Sequence, residues 1–178
     1  MWNEQIIMML LEGIKDTLYM TLTSTLIGYV IGLPMGIFLT VTDKDGIHPN
    51  TAVYKVLDVI ANLIRSVPFL ILLIVLIPFT RFLIGRSYGP TATIVPLVIA
   101  AAPYIARMVE SSLKEVDAGV IEAARSMGAS NFTIVTKVML VEARTSLIVG
   151  ATISLGTILG YSAMAGTVGG GGLGDIAI

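Results

Sequence analysis

The sequence is poor in the side chains that carry most enzyme and metal chemistry. It contains no cysteine, one histidine and only 13% charged residues, whereas soluble proteins carry roughly 25% charged residues. Without cysteine there is no disulfide framework, no thiolate metal site and no cysteine nucleophile. The single histidine, His48, stands in a polar loop beside Pro49, and a lone imidazole does not make a metal site. We therefore expect no catalytic residue and no metal site in this chain.

Charge is missing above all from long apolar stretches. Residues 18–41, 87–106 and 145–174 contain no Asp, Glu, Lys, Arg or His, and residues 59–80 contain only Arg65. A helix needs about 20 apolar residues to cross the hydrocarbon layer of a bilayer. We therefore predict an all-α integral membrane protein, a single transmembrane domain with about four transmembrane helices, at residues 18–41, 59–80, 91–108 and 145–165.

The N-terminal segment is predicted to stay attached to the protein. Its first apolar stretch is longer than the core of a signal peptide, and Glu4, Glu12 and Asp16 lie where such a peptide is basic. Residues 1–16 form an amphipathic lead-in, with apolar residues at helical spacing at Ile6, Ile7, Leu10, Leu11 and Ile14.

Basic residues predict the orientation, because cytoplasmic loops are enriched in Lys and Arg. Eight of the eleven lie in or beside the first loop and the long segment 109–144, and three lie on the other side, namely Lys15, Arg81 and Arg86. The first loop and residues 109–144 are therefore predicted to be cytoplasmic and the N-terminus to be outside. No basic run of the kind that binds nucleic acid is present.

Small residues recur at helix-face spacing in the first span, at Ser24, Gly28, Gly32 and Gly36. Such a stripe favours close helix packing in a membrane; lining of a pathway is the alternative. Several prolines also fall inside the predicted spans, where they bend helices, namely Pro34, Pro68, Pro78, Pro96 and Pro103.

The long cytoplasmic segment predicts two short helices separated by a break. Asp117 is a candidate N-cap of the first, and Gly128 suits the positive φ that follows a helix end. Ser130 is a candidate cap of the second. Apolar stripes are predicted at Val120, Ala124 and Met127 and at Phe132, Val135 and Met139. This hook, residues 117–140, is either a handle for a partner protein or an ordinary interfacial hairpin.

The hook closely resembles the EAA motif of permeases from ATP-binding cassette importers. Glu122-Ala123-Ala124 is followed after three residues by Gly128 and after nine more by Val138-Met139-Leu140. The chain is similar to the methionine-uptake (MetI-like) permeases in particular, at residues 31–34, 65–69, 77–81, 101–110, 160–164 and 171–174.

The resemblance implies a type I importer permease in a bacterial inner membrane, working as a homodimer. A cytoplasmic ATPase would dock on the hook and would itself bind ATP and magnesium. An external or lipid-anchored binding protein would deliver L- or D-methionine. The implied ATPase contacts are Glu122, Ala123, Ala124, Gly128 and Ala129, and the pathway or gate candidates are Tyr161, Ser162 and Met164. Alternatives are a permease for another small solute or a non-transporting structural subunit.

Two departures from the family pattern stand out. Val141 replaces the proline that ends the motif, which predicts a less rigid exit from the hook. The sequence also ends at Ile178, where these permeases continue into a fifth span. We expect impaired assembly or transport from a chain without that span.

Two further patterns point to rival functions. Residues 169–174 satisfy G-x-G-x-x-G, which binds dinucleotides only between a strand and a helix. Residues 172–175 match the G-x-G-D element of intramembrane aspartyl proteases, which need a second carboxylate. Asp58, the nearest candidate, is predicted at the opposite membrane face from Asp175.

Overall fold

The computed structural model describes residues 4–178, and these residues are helical without a β-strand, which confirms the predicted fold class. A π-helical stretch, Ile134–Met139, follows the short helix Asn131–Thr133, and a 3-10 turn, Gly166–Val168, follows the long helix Arg144–Ala165. The helices are α1 Glu4–Thr42, α2 Thr51–Ser66, α3 Phe69–Val75, α4 Ile77–Ile84, α5 Pro90–Lys114, α6 Ala118–Ser126, α7 Asn131–Thr133, α8 Leu140–Glu142, α9 Arg144–Ala165 and α10 Leu173–Ile176.

Within residues 4–178, three helical segments are long and apolar enough to cross a membrane, namely Glu4–Thr42, Pro90–Lys114 and Arg144–Val168. A fourth crossing exists if α2 and α3 together form one broken span. The structure therefore agrees with the prediction of about four crossings, although the second differs in kind from the other three.

The second crossing is not the continuous helix that was predicted over residues 59–80. The chain bends by 102° between α2 and α3. Pro68 explains the bend, because a proline disfavours helical geometry in the residue before it, and Val67 is extended with φ −85° and ψ 125°. Pro68 was visible in the sequence, but whether a proline bends or breaks a span depends on neighbouring helices.

Helix α1 includes the lead-in segment that was predicted as a separate element. Residues 1–3 of that segment lie outside the described residues; from Glu4 onward it continues into the span without interruption. At about 1.5 Å per residue, the 39 residues extend over about 58 Å, roughly twice the hydrocarbon thickness of a bilayer. Part of α1 therefore extends beyond the membrane.

The glycine stripe of α1 packs against α5, as the packing prediction requires. A Cβ atom built on Gly32 would lie 2.6 Å from the carbonyl oxygen of Ala102, and one on Gly36 would lie 2.6 Å from that of Ala106. Only glycine allows the two backbones to come this close. We call this contact the α1–α5 seam; it forms the centre of the bundle.

The two ends of the bundle gather different parts of the chain. One end holds the first loop beside the hook, because the Arg125 guanidinium donates to the carbonyl oxygen of Ile47 at 3.0 Å. The other end holds the glycine-rich segment 166–174 beside the start of α5, where the Gly89 N–H donates to Gly169 O at 2.9 Å. This arrangement matches four alternating crossings. We call these the hook end and the glycine end.

Candidate functional site

The hook has the capped two-helix geometry that was predicted from its sequence. The Asp117 side chain accepts a hydrogen bond from Gly119 N–H at 2.7 Å, at the start of α6. Gly128 has φ 82°, the left-handed conformation expected after a helix end. The Ser130 hydroxyl accepts from Thr133 N–H at 3.2 Å and begins the second helix. The caps at Asp117 and Ser130 and the positive φ of Gly128 therefore define the two helices of the hook and the turn between them.

The predicted apolar stripes of the hook are only partly buried. Ala124, Val135 and Met139 are in the core. Met127 is 82% exposed and Phe132 is 77% exposed, and Val120 lies outside the core as well. The turn of the hook therefore presents apolar side chains to the outside. A surface of this kind is typical of a binding site.

The five predicted contact residues do not all lie on that surface. Glu122, Ala123 and Gly128 are exposed, so these three are available to a partner. Ala124 is 5% exposed, and its carbonyl oxygen accepts from Ala129 N–H at 3.1 Å. Ala124 and Ala129 therefore shape the turn from within.

A network of charged side chains lies near the C-terminal end of α5, just before the hook begins. Lys114 Nζ lies 2.5 Å from the Asp43 carboxylate and 2.8 Å from that of Glu110. Arg107 pairs with Glu110 at 2.7 Å and also with Asp58 of α2. Glu110 is only 5% exposed. These five residues, the charge network, connect α5 to the first loop and to α2.

Sequence reasoning missed the charge network, although part of its signal was present. Arg107, Glu110 and Lys114 are spaced three and four apart, which places them on one helix face. Their partners Asp43 and Asp58 come from distant positions that only the fold brings close. Between the network and the hook lies a cleft of about 600 Å³, lined by Lys114, Glu122 and Arg125 among others.

Asp43 lies in the first loop, and its carboxylate is affected by its cationic neighbour. The hydrogen bond from Lys114 holds the pKa of Asp43 below its usual value, with the Lys44 N–H contributing at 2.6 Å. The carboxylate therefore stays ionised at neutral pH and keeps the first loop attached to α5.

The three pathway candidates point in different directions from α9. Ser162 is 1% exposed; it donates to Leu159 O at 2.8 Å and lies 3.5 Å from the Thr21 hydroxyl of α1. It therefore belongs to the packing between α9 and α1. Met164 is 47% exposed, and the Tyr161 ring stacks on Phe69 with centroids 4.6 Å apart.

Tyr161 also lines a cavity at the break between α2 and α3. The cavity has a volume of about 170 Å³, and the side chains around it come from α2, α3, α5 and α9. Arg65, in the last turn of α2, is its one charged residue. A cation at the centre of a membrane costs about 3 kcal/mol on insertion scales, so such residues usually face a cavity or a partner.

The two rival enzyme patterns lack the geometry that they need. Residues 169–174 follow helix α9, and residues 4–178 contain no strand to precede a dinucleotide loop. Asp175 lies in α10 at the glycine end, whereas Asp58 pairs with Arg107 at the hook end. The two carboxylates therefore cannot share a proton.

Comparisons with known proteins agree along nearly the whole chain. Residues 8–178 match the family described as the binding-protein-dependent transport system inner membrane component. A probable D-methionine transport system permease protein MetI from Vibrio cholerae is 47% identical over 170 residues, covering 96% of this chain and 76% of the relative. The D-methionine transport system permease protein MetI of Escherichia coli is 51% identical over 164 residues, covering 92% and 76%.

Solved structures show the same fold. A structure of inward-facing conformations of the MetNI methionine ABC transporter superposes with a TM-score of 0.97 at 50% identity, covering 99% of this chain and 82% of that one. An amino acid ABC transporter crystallised with histidines gives a TM-score of 0.78 at 24% identity, covering 97% and 78%. The second likeness is evidence for the fold alone.

Proposed function

Since this chain belongs to the family of binding-protein-dependent transport system inner membrane components, we propose that it is the permease subunit of an ATP-driven importer of methionine, in its L- and D-forms. The observation that carries this proposal is the hook, which presents Glu122 and Ala123 on the exposed face of its capped first helix, α6. The relatives described as D-methionine permeases support the substrate.

The hook is the docking site for a cytoplasmic ATPase. Small side chains at Ala123 and Gly128 let a partner approach the helix backbone closely, and Met127 and Phe132 offer apolar area around them. The ATPase binds the ATP and magnesium. The permease contributes no catalytic group to hydrolysis, which agrees with the predicted absence of enzyme chemistry.

The importer contains two copies of this chain, each with its own ATPase. An external or lipid-anchored binding protein delivers methionine at the glycine end. The excess of Lys and Arg around the hook supports a cytoplasmic hook and an external N-terminus in a bacterial inner membrane. Met164, which is half-exposed on α9, is our candidate for a gate on the pathway.

Closure of the ATPase pair would move the two hooks, and the charge network would pass that movement to the spans. Lys114 at the base of the hook contacts Glu110 on α5 and Asp43 beside α1. Arg107 extends the connection to α2 through Asp58. Movement of the hook is thereby shared by three crossings, which alternating access requires.

Docking is tested by replacing Ala123 with a bulky residue. In proteoliposomes containing the ATPase and the binding protein, Ala123→Phe should lower both ATPase copurification and ATP-dependent uptake of labelled methionine about tenfold or more. The matched control is Ala52→Phe, an exposed position at the hook end but outside the hook. Equal copurification of both variants with the ATPase would contradict the proposed docking site.

A further inference from the structure

Arg65 is a cation at the middle depth of the bundle without an anionic partner. It lies beside Ala100 and Tyr104, which are on either side of the midpoint of α5. Within residues 4–178 its guanidinium makes no salt bridge or hydrogen bond to a side chain, and it is exposed. Arg107 lies on α5 about one and a half turns from that midpoint toward the hook end. Its charge, by contrast, is neutralised by Asp58 and Glu110.

The cavity beside Arg65 suits a small amphipathic solute. Its walls include the stacked Phe69 and Tyr161 rings and Tyr104. Aromatic edges make favourable contacts with a thioether sulfur, and aromatic faces attract an ammonium group. The volume of about 170 Å³ is below the roughly 300–1,000 Å³ of complete small-molecule sites, as expected if a second copy of the chain completes the site.

We propose that Arg65 binds the carboxylate of the transported amino acid inside the membrane, while the aromatic cavity at the α2–α3 break receives its side chain. This inference rests on the proposed function and adds a substrate site to it. Broken helices at the membrane midplane are a recurring way to build such sites in transporters. A guanidinium forms paired, charge-assisted hydrogen bonds with a carboxylate, which gives orientation as well as affinity.

The absence of cysteine allows a direct test of occupancy. Ala100→Cys would place the only thiol of this subunit in the cavity wall. In the complete complex in proteoliposomes, L-methionine at ten times its Kd should slow modification by a small neutral methanethiosulfonate about tenfold. Methioninamide, which lacks the carboxylate, should give little protection. Protection by the amide equal to that by methionine would overturn the proposed role of Arg65.

Variants of Arg65 sharpen the test. Arg65→Gln should abolish protection by methionine and lower uptake about tenfold or more, whereas Arg65→Lys should keep part of both. Arg81→Gln is the control, because Arg81 is an exposed cation on α4 outside the cavity, and it should leave protection unchanged. Retained protection in Arg65→Gln would overturn the inference.

The outcomes separate the inference from the proposed function. If the unsubstituted chain neither copurifies with the ATPase nor takes up methionine, the proposed function fails whatever Arg65 does. If uptake is normal and the Arg65 variants behave like the unsubstituted chain, only the inference fails. If Arg65→Gln does not assemble, two other measurements still test the inference. These are the protection and uptake of the Arg65→Lys variant, and the comparison of methionine with methioninamide in the Ala100→Cys chain.

Discussion

The two ends of the bundle are held together by different chemistry. At the hook end, charged side chains connect the first loop, α2 and α5, with Glu110 accepting from both Arg107 and Lys114. At the glycine end, backbone approaches backbone: Gly89 N–H donates to Gly169 O at 2.9 Å, and a Cβ atom built on Gly166 would collide with the backbone of Gly174.

This difference determines which substitutions and which movements each end of the bundle tolerates. Long charged side chains can rearrange and keep their partners while the helices shift, so the hook end can change shape without losing its ion pairs. Backbone contacts at glycine leave no space for a new Cβ atom, so the glycine end keeps one geometry. The comparison predicts that small steric changes damage the glycine end and that changes of charge damage the hook end.

The largest expected effect is steric, at Gly174. A Cβ atom there would collide with the carbonyl group of Ala163, so Gly174→Ala should lower the free energy of unfolding by about 3 kcal/mol. Gly160→Ala is the matched control, because a Cβ atom at Gly160 meets nothing within 4 Å. Thermal unfolding in detergent measures both; equal melting temperatures would show that the glycine end is not tightly packed.

A smaller effect is expected from removing one charge at the hook end. Glu110→Gln removes the buried negative charge that Arg107 and Lys114 share and places an amide NH2 donor against one of the two cations, so it should cost about 2 kcal/mol. Asp45→Asn, whose pair with Lys44 is more than 80% exposed at 3.8 Å, should cost nothing measurable. Unfolding measured at low and high salt provides the comparison, and indistinguishable variants would argue against the charge network.

Two glycines with the same backbone conformation allow the cost of backbone strain to be distinguished from a loss of coupling to the ATPase. Gly128 in the hook and Gly85 at the other end have φ of 82° and 83°, and neither has a neighbour within 4 Å of a built Cβ. Alanine at either position should cost about 1 kcal/mol of backbone strain. Only Gly128→Ala should also reduce transport-coupled ATP hydrolysis in the complete importer. Equal hydrolysis rates in the two variants would contradict the docking role of the hook.

The smallest effect concerns pH. The folded-state pKa of Asp43 is lowered, so its ion pair stabilises the protein above the unfolded pKa of about 3.9 and is lost as pH falls through the folded value. Asp43→Asn should therefore cost less than about 1 kcal/mol at pH 7. The difference in melting temperature between the two proteins should shrink below about pH 4; a constant difference would indicate another role for Asp43.

Local signals in the sequence were the most reliable ones. Asp117, Ser130 and Gly128 act on neighbouring backbone groups, so their roles follow from short-range rules that hold in any fold. The α1–α5 seam was also foreseen, because glycine at every fourth residue marks a helix face. What the stripe could not reveal was its partner, since nothing in the sequence of α1 designates α5.

Features that depend on distant contacts escaped prediction. The break at Pro68 was treated as one bend among several, and the pairing of Asp43 with Lys114 needed the fold. Ser162 matched the family sequence beside Tyr161 and Met164, yet its hydroxyl faces α1. A one-residue step along a helix turns a side chain by about 100°, so a motif places neighbours in sequence without placing them on one surface.

The α1–α5 seam also has a mechanical consequence. A layer of side chains between two helices can repack when one helix slides, but the contacts that Gly32 and Gly36 make with the backbone of α5 contain almost nothing that can deform. Helices α1 and α5 therefore move as one rigid body, so a tilt near Lys114 changes the angle of the far end of α5 by nearly the same amount. One stiff element thus joins the proposed docking site at the hook end of the bundle to the glycine end.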